Sequence, residues 1–200
     1  AIALTGSNGK TTLKEMIASI LREKGQTLAT EGNYNNHVGC PLTVLKLTDQ
    51  HEYAVIEMGA NHFEEIRYLT QIVQPNVAIV NNAGPCHLEG FGDVEGVAKA
   101  KGEIFEGLGK DGIAVINADD EYANYWQSIN TEHKVMTFGI KNAADVMAKN
   151  IQKQSFELVI NGESVHVDLA LVGVHNILNA CAAAAATYAI GITLPEIYIV

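Results

Sequence analysis

The opening stretch AIALTGSNGKTTLKEMIASIL constrains the fold more than any other part of the chain. An apolar run, a glycine-bounded turn, Gly-Lys-Thr and a helical apolar period follow one another without a gap. Leu13, Met16, Ile17, Ile20 and Leu21 recur at i, i+3, i+4, i+7 and i+8, which is one helical face, and Gly25 ends it. Strand, tight turn and helix form the context in which a Gly-Lys-Thr loop cradles phosphate. The usual spacing also needs a glycine five residues before Gly9, where this chain has Leu4. The shorter GxxGKTT form keeps the working parts. Backbone N–H groups of Ser7, Asn8, Gly9, Lys10 and Thr11 can face an anion at the positive end of the helix. Gly6 and Gly9 allow close approach and unusual backbone angles, and Thr12 completes the loop. Lys10 can reach the β- and γ-phosphates, and the Thr11 hydroxyl is placed for Mg²⁺.

After this unit, short β-rich runs alternate with amphipathic helices: YAVIE from Tyr53, NVAIVN from Asn76, GIAVIN from Gly112 and KVMTFG from Lys134. Each is apolar on both faces, as parallel strands covered by helices are. Further helices are expected over Glu64–Val73, Val94–Leu108 and His175–Ile190. Residues 144–172 change texture. VMAKNI, SFELVI and ESVHVDLAL are separated by a Lys-Gln pair and by Asn161-Gly162, a hairpin turn, and so predict a small antiparallel meander. The expected fold is α/β: a phosphate loop on a mostly parallel sheet flanked by helices, with that meander, in one domain over residues 1–200.

With 13 basic and 23 acidic residues, the net charge of −10 argues against a nucleic-acid surface and makes any anion site local and backbone-built. Cys40, Cys86 and Cys181 lack a CxxC pairing and read as reduced, buried residues of a cytoplasmic protein. The apolar stretch from Ala180 to Ile192 is too short to span a bilayer. The chain starts inside a strand, and its closing TLPEIYIV reads as a capping box, Thr193 with Glu196, opening an unfinished helix. Both ends are therefore expected to be cuts in a longer protein.

Glu57 ends an apolar strand, where a carboxylate needs a cation or a hydrogen-bond partner. His87 follows the next strand after a short loop. On neighbouring parallel strands both reach the carboxyl edge, where α/β sheets bind ligands. The pair reads either as an Mg²⁺ or Mn²⁺ site, or as a strand-end carboxylate and a solvated loop histidine. Asn176 and Asn179 are three apart and share a helical face. Asp119 and Asp120 read equally as caps of the next helix or as nucleotide contacts. His51, His133 and His166 are expected to be solvated.

Six segments stand in a specific order: TGSNGKTT, EGNYNNHVGCPLT, IEMGANHFEEI, HLEGFG with VAKAKGEIF, NADD and GVHNILNACAAAA. Over the full chain this pattern resembles the central ATP-binding domain of the Mur ligases, which are bacterial and cytoplasmic. GNYNNHVGCPLT, MGAN and HLEGFG are most similar to the members that add D-alanyl-D-alanine to UDP-N-acetylmuramoyl-tripeptide. The resemblance implies ATP and Mg²⁺ (or Mn²⁺) as cofactors and those two molecules as substrates. It also implies an amino-terminal UDP-binding domain and a carboxy-terminal domain, both absent here, so that this piece alone binds nucleotide without turning over. It assigns Glu57 and His87, with Thr11, to the metal. It makes Lys101 a carbamylated lysine that helps hold a second metal and thus requires a neutral amine. It sets Asn36, His175, Asn176 and Asn179 along the adenine and metal-side pocket. Glu64 stands where relatives carry glycine, with little effect expected at a helix start.

The implied reaction is ATP-driven amide formation. The substrate carboxylate attacks the γ-phosphate, giving an acyl phosphate that the amine of D-alanyl-D-alanine then displaces, with Lys10 and two metal ions neutralising charge. A folylpolyglutamate synthase shares the loop and the chemistry, but GNYNNHVGCPLT speaks against it. A P-loop kinase or GTPase leaves Glu57 and His87 unexplained. A nucleotide-binding module without catalysis is the remaining reading.

Overall fold

A computed structural model describes residues 1–197. Its strands are β1 (Ile2–Thr5), β2 (Thr27–Ala29), β3 (Tyr53–Glu57), β4 (Val77–Val80), β5 (Ile113–Asn117), β6 (Lys134–Gly139), β7 (Val146–Gln152), β8 (Ser155–Ile160) and β9 (Glu163–Asp168). They form one sheet in the order β2-β3-β1-β4-β5-β6-β7-β8-β9. Pairing is parallel from β2 through β7 and antiparallel from β7 to β9. The meander is thus present, and it extends the main sheet rather than forming a separate one. Asn161 and Gly162 take positive φ at its second turn, 51° and 84°, the backbone a two-residue hairpin needs.

The helices are α1 (Lys10–Arg22), α2 (Gly39–Val44), α3 (Glu65–Val73), α4 (Leu88–Phe91), α5 (Val94–Gly102), α6 (Ala123–Ser128) and α7 (Val174–Ala189). Strand residues alternate between two cores. Ile2, Leu4, Val55, Val77, Ile79 and Val115 meet the layer of α1 and α7, while Ala3, Ile56, Ala78, Val80 and Ile116 meet the layer of α3 and α6. Two buried faces explain the unbroken apolar runs. The alanines of α7 from Ala180 to Ala186 are all buried, so a small-residue face lies against α1 and the sheet. Among the described residues no helix is long and apolar enough to cross a membrane.

Several expectations change. The Val94–Leu108 segment is not one helix: α5 stops at Gly102 and a 3-10 turn covers Glu103–Gly107. The Thr70 hydroxyl donates to the Ile104 carbonyl at 2.8 Å, and Gly107 is pressed against Thr70, so packing on α3 tightens the last turn. Gly25 does not cap α1 in a left-handed conformation; α1 ends at Arg22, and the Gly25 N–H donates to the Leu21 carbonyl. Thr193 and Glu196 do meet, but they cap only the 3-10 turn Leu194–Glu196, and the expected continuation at 198–200 lies outside the described residues. The short elements β2, α2 and α4 were not expected, while α6 is the helix anticipated after Asp119 and Asp120.

Glu64 matters more than a helix start implies. It precedes α3 at φ 69°, in the left-handed region that glycine occupies without steric cost. Its N–H donates to the buried Glu103 carboxylate at 2.9 Å, as does the N–H of Arg67 at 3.1 Å, so Glu103 caps α3 from another element.

Candidate functional site

The phosphate loop leaves β1 at Thr5 and enters α1 at Lys10. Gly9 takes φ 77°, and a Cβ there would lie 2.9 Å from the Asn179 Oδ1. Gly6 keeps an ordinary φ and serves close approach only: a Cβ on it would meet the Asn81 Cβ at 3.1 Å. The amides of Ser7 and Asn8 do not face the loop's concavity. Both donate to the Asn82 Oδ1, at 3.0 and 2.9 Å, which braces the loop against the exit of β4. The Ser7 hydroxyl meets the Gly84 amide and the Cys86 thiol, so Cys86 is half-buried beside the loop rather than a core residue. This leaves the N–H groups from Gly9 to Thr12, at the start of α1, for an anion. Lys10 lies over the loop with its Nζ 2.8 Å from the Gly6 carbonyl.

β1 sits between β3 and β4, so Glu57 and His87 are not on adjacent strands as the sequence suggested; they flank the loop from either side. Glu57 is only 1% exposed. Its Oε2 accepts from the Thr11 hydroxyl at 3.2 Å and its Oε1 from the Asn35 amide at 2.7 Å. Its own N–H donates to the Thr30 hydroxyl. These partners are all neutral, and among the described residues Glu57 makes no ion pair. A buried carboxylate so placed is costly without a cation. Hard oxygen donors beside a phosphate cradle fit Mg²⁺, which is held by one or two carboxylates and the substrate's own phosphates. No group of three His, Cys, Asp or Glu able to hold a metal exists among the described residues, so such an ion needs the Thr11 hydroxyl and non-protein oxygens.

Lys10, Asn35, Asn36, His37, His87 and Lys101 line one cleft of about 230 Å³ at the carboxyl edge of the sheet. His87 is exposed, at φ 51° before α4. Lys101 is 4% exposed, and its ammonium has no hydrogen bond or ion pair among the described residues. Burial, then repulsion from Lys10, lowers its pKa to about 8. Asn36 reaches this cleft, and its Oδ1 also accepts from the amides of Val38 and Gly39, capping α2.

Asn176 and Asn179 share a buried face of α7, while His175 points to solvent. Asn176 donates to the Val172 carbonyl. Asn179, 3% exposed, accepts from the Asn81 amide at 2.9 Å beneath Gly9, so it braces the loop instead of lining an open pocket. Asp119 accepts from the backbone amides of Ile140, Lys141 and Asn142, and Asp120 from those of Ala83 and Tyr122. Both acidic groups are used to fix loops. His166 is exposed but paired, its ring between Glu157 and Asp168, which raises its pKa chiefly through the Glu157 hydrogen bond. Sequence reasoning missed Asn35, Asn81 and Asn82; the Asn-Asn pairs at strand exits were the available signal.

The profile of the Mur ligase middle domain matches residues 4–187. The UDP-N-acetylmuramoyl-tripeptide–D-alanyl-D-alanine ligase of Escherichia coli is 51% identical over 98% of this chain and 44% of its own length. MurF from Acinetobacter baumannii superposes with a TM-score of 0.94 at 43% identity, over 98% of this chain and 44% of that one. MurF ligase from Thermotoga maritima, solved in complex with ADP, gives 0.86 at 30% identity, over 96% and 45%. The chain therefore spans less than half the length of these relatives. With the middle-domain profile matched over most of the chain and relatives this similar in sequence and in fold, the chain belongs to the Mur ligase family, as its middle domain.

Proposed function

We propose that this domain binds ATP within a longer ligase that joins the carboxyl end of UDP-MurNAc-tripeptide to the amine of D-alanyl-D-alanine, in the bacterial cytoplasm, for peptidoglycan precursor synthesis. The observation that carries the reading is the convergence of Lys10, His87 and Lys101 on one cleft beside Glu57. Further support comes from relatives of that activity and from the ADP bound by the Thermotoga relative.

The helix N-terminus from Gly9 to Thr12 binds the phosphates, with Thr12 at its rim, and Lys10 turns from the Gly6 carbonyl to the β- and γ-phosphates. Thr11, Glu57 and His87 hold Mg²⁺ or Mn²⁺, and Lys101, as a carbamate, offers an anionic oxygen for a second ion. When bound, these ions neutralise charge on the phosphates and on the incoming carboxylate. Asn35 keeps the Glu57 carboxylate oriented. Asn36, His175 and Asn176 border the nucleotide, and Asn179 acts from beneath the loop. The carboxylate attacks the γ-phosphorus and ADP leaves. The amine then attacks the acyl carbon and inorganic phosphate departs. Fixed charges in the cleft serve both steps without a protein nucleophile.

The test uses the full-length protein with ATP, Mg²⁺, UDP-MurNAc-tripeptide and D-alanyl-D-alanine, with phosphate release measured against each omission. Release that ignores D-alanyl-D-alanine, or that requires folate and glutamate, overturns the reading. Lys10→Ala is expected to abolish ATP binding; unchanged affinity removes the loop from the site.

A further inference from the structure

The three cysteines differ in access. Cys40 and Cys181 are fully buried, and burial pushes their thiols up to about 11 and about 12. Such thiols are inert. Cys86 is half-buried and lines the same cleft as Gly6, Lys10, His87 and Lys101. Its N–H donates to the Gly84 carbonyl at 2.8 Å, and its thiol donates to the Ser7 hydroxyl at 3.0 Å. That hydroxyl also accepts from the Gly84 amide at 2.9 Å, so the thiol is tethered to the phosphate loop. On another side Cys86 packs against the apolar cluster of Phe91, Val97 and Ala100. The free side of the sulfur faces the cleft. A second observation marks that cleft as one that takes a ligand. Lys101 lines it at 4% exposure and has no partner among the described residues. A buried polar group left without a partner calls for a group from outside.

We infer that Cys86 is a site of reversible covalent modification by a small disulfide, and that the adduct closes this cleft to nucleotide. The inference rests on the nucleotide reading of the cleft given above. The Cys86 sulfur attacks one sulfur of the disulfide, and the S–S bond of the reagent breaks. The other half leaves with the bonding electron pair and takes up the proton that Cys86 gives up. Cys86 is thereby oxidised to a mixed disulfide and the leaving sulfur is reduced to a thiol. Excess thiol runs the exchange backwards and restores Cys86. The position of the sulfur makes the adduct inhibitory in two ways. The modified sulfur has no hydrogen to donate to Ser7, so the phosphate loop loses a brace. The added group also occupies a cleft of only about 230 Å³, beside Gly6 and Lys10, where it clashes with bound phosphates. Bound nucleotide in turn covers the thiol.

Glutathione disulfide added to the full-length protein tests this, with the modified peptides mapped by mass spectrometry and ATP affinity measured before and after. Cys86 is expected to be thiolated ahead of Cys40 and Cys181, with loss of ATP binding that dithiothreitol reverses. ATP with Mg²⁺ added first is expected to slow the thiolation of Cys86. Cys86→Ser, compared with its own untreated affinity, is expected to keep its ATP binding through the same treatment. Thiolation of Cys40 or Cys181 first, or thiolated Cys86 that binds ATP as before, overturns the inference. So does thiolation at an unchanged rate under ATP, or an equal loss of binding in Cys86→Ser. If the untreated protein binds no ATP, the nucleotide reading itself fails and this inference falls with it, an outcome seen before any disulfide is added.

Discussion

Lys14 on α1 and Lys101 on α5 are both buried lysines, yet the regions around them treat the charge in opposite ways. Lys14, 1% exposed, donates to the Thr30 carbonyl at 2.7 Å and pairs with Glu15 at 3.0 Å. It ties α1 to the loop after β2. Lys101 is held in the wall of the cleft beside the phosphate loop with no partner among the described residues and with Lys10 as a like-charged neighbour. Burial alone therefore does not distinguish the two. What distinguishes Lys101 is burial without compensation among the described residues, which fits the role proposed for it above.

The largest expected effect breaks this pair on activity. Lys101→Met in the full-length protein should lower phosphate release by on the order of a hundredfold or more, because a fixed charge at the reacting centre is lost. Lys14→Met should leave the KM for ATP within about twofold, since its ammonium bonds the Thr30 carbonyl and Glu15 rather than any group of the phosphate loop.

On stability the signs reverse. In CO₂-depleted buffer at pH 7, Lys101→Met should stabilise the protein by up to roughly 3 kcal/mol, the value of lowering a lysine from 10.5 to about 8. Lys14→Met should destabilise it by roughly 2 kcal/mol, because the Thr30 carbonyl loses its donor. Urea unfolding of both variants checks the pair; the same sign for both removes the distinction.

The pH dependence sharpens it further. Between about pH 8 and 10.5 the unfolded chain keeps the Lys101 proton and the folded chain does not, so stability rises with pH across that window. Below pH 8 the burial penalty is present in full. The advantage of Lys101→Met over the unsubstituted protein should thus shrink from pH 8 to 10.5, and an advantage constant with pH assigns it to packing instead.

The smallest effect concerns Glu64, just before α3. Its left-handed backbone and exposed pairing with Arg67 oppose each other. Glu64→Gly should stabilise by roughly 0.5 kcal/mol, the conformational gain outweighing a surface ion pair. Thermal unfolding that shows a loss would mean that the Arg67 contact dominates.

The sequence made the phosphate loop, α1, the main strands and the β7–β9 meander readable, because each is coded by neighbours: a period of two or 3.6, a glycine turn, an Asn-Gly hairpin. The same locality explains its errors. Gly25 looked like a cap, but α1 had ended earlier at Arg22. The segment Val94–Leu108 looked like one helix, but Thr70, far away in the chain, takes the carbonyl of Ile104. Glu57, His87 and Lys101 could be picked out as candidates, while their arrangement on either side of β1 depended on strand order, which periodicity does not encode.

By itself, then, the sequence determined an α/β domain with a Gly-Lys-Thr loop between β1 and α1 and picked out the side chains proposed for its chemistry, since residue type and short-range spacing suffice for both. Only the tertiary structure decided how those groups are held. Asn82 occupies the amides of Ser7 and Asn8 from 75 and 74 positions away, and Asn179 meets Asn81 across 98. Such contacts arise when distant strand exits converge at one sheet edge, where burial forces each polar group to find a partner or remain conspicuously without one. Lys14 found its partner. Among the described residues, Lys101, in the cleft wall, did not.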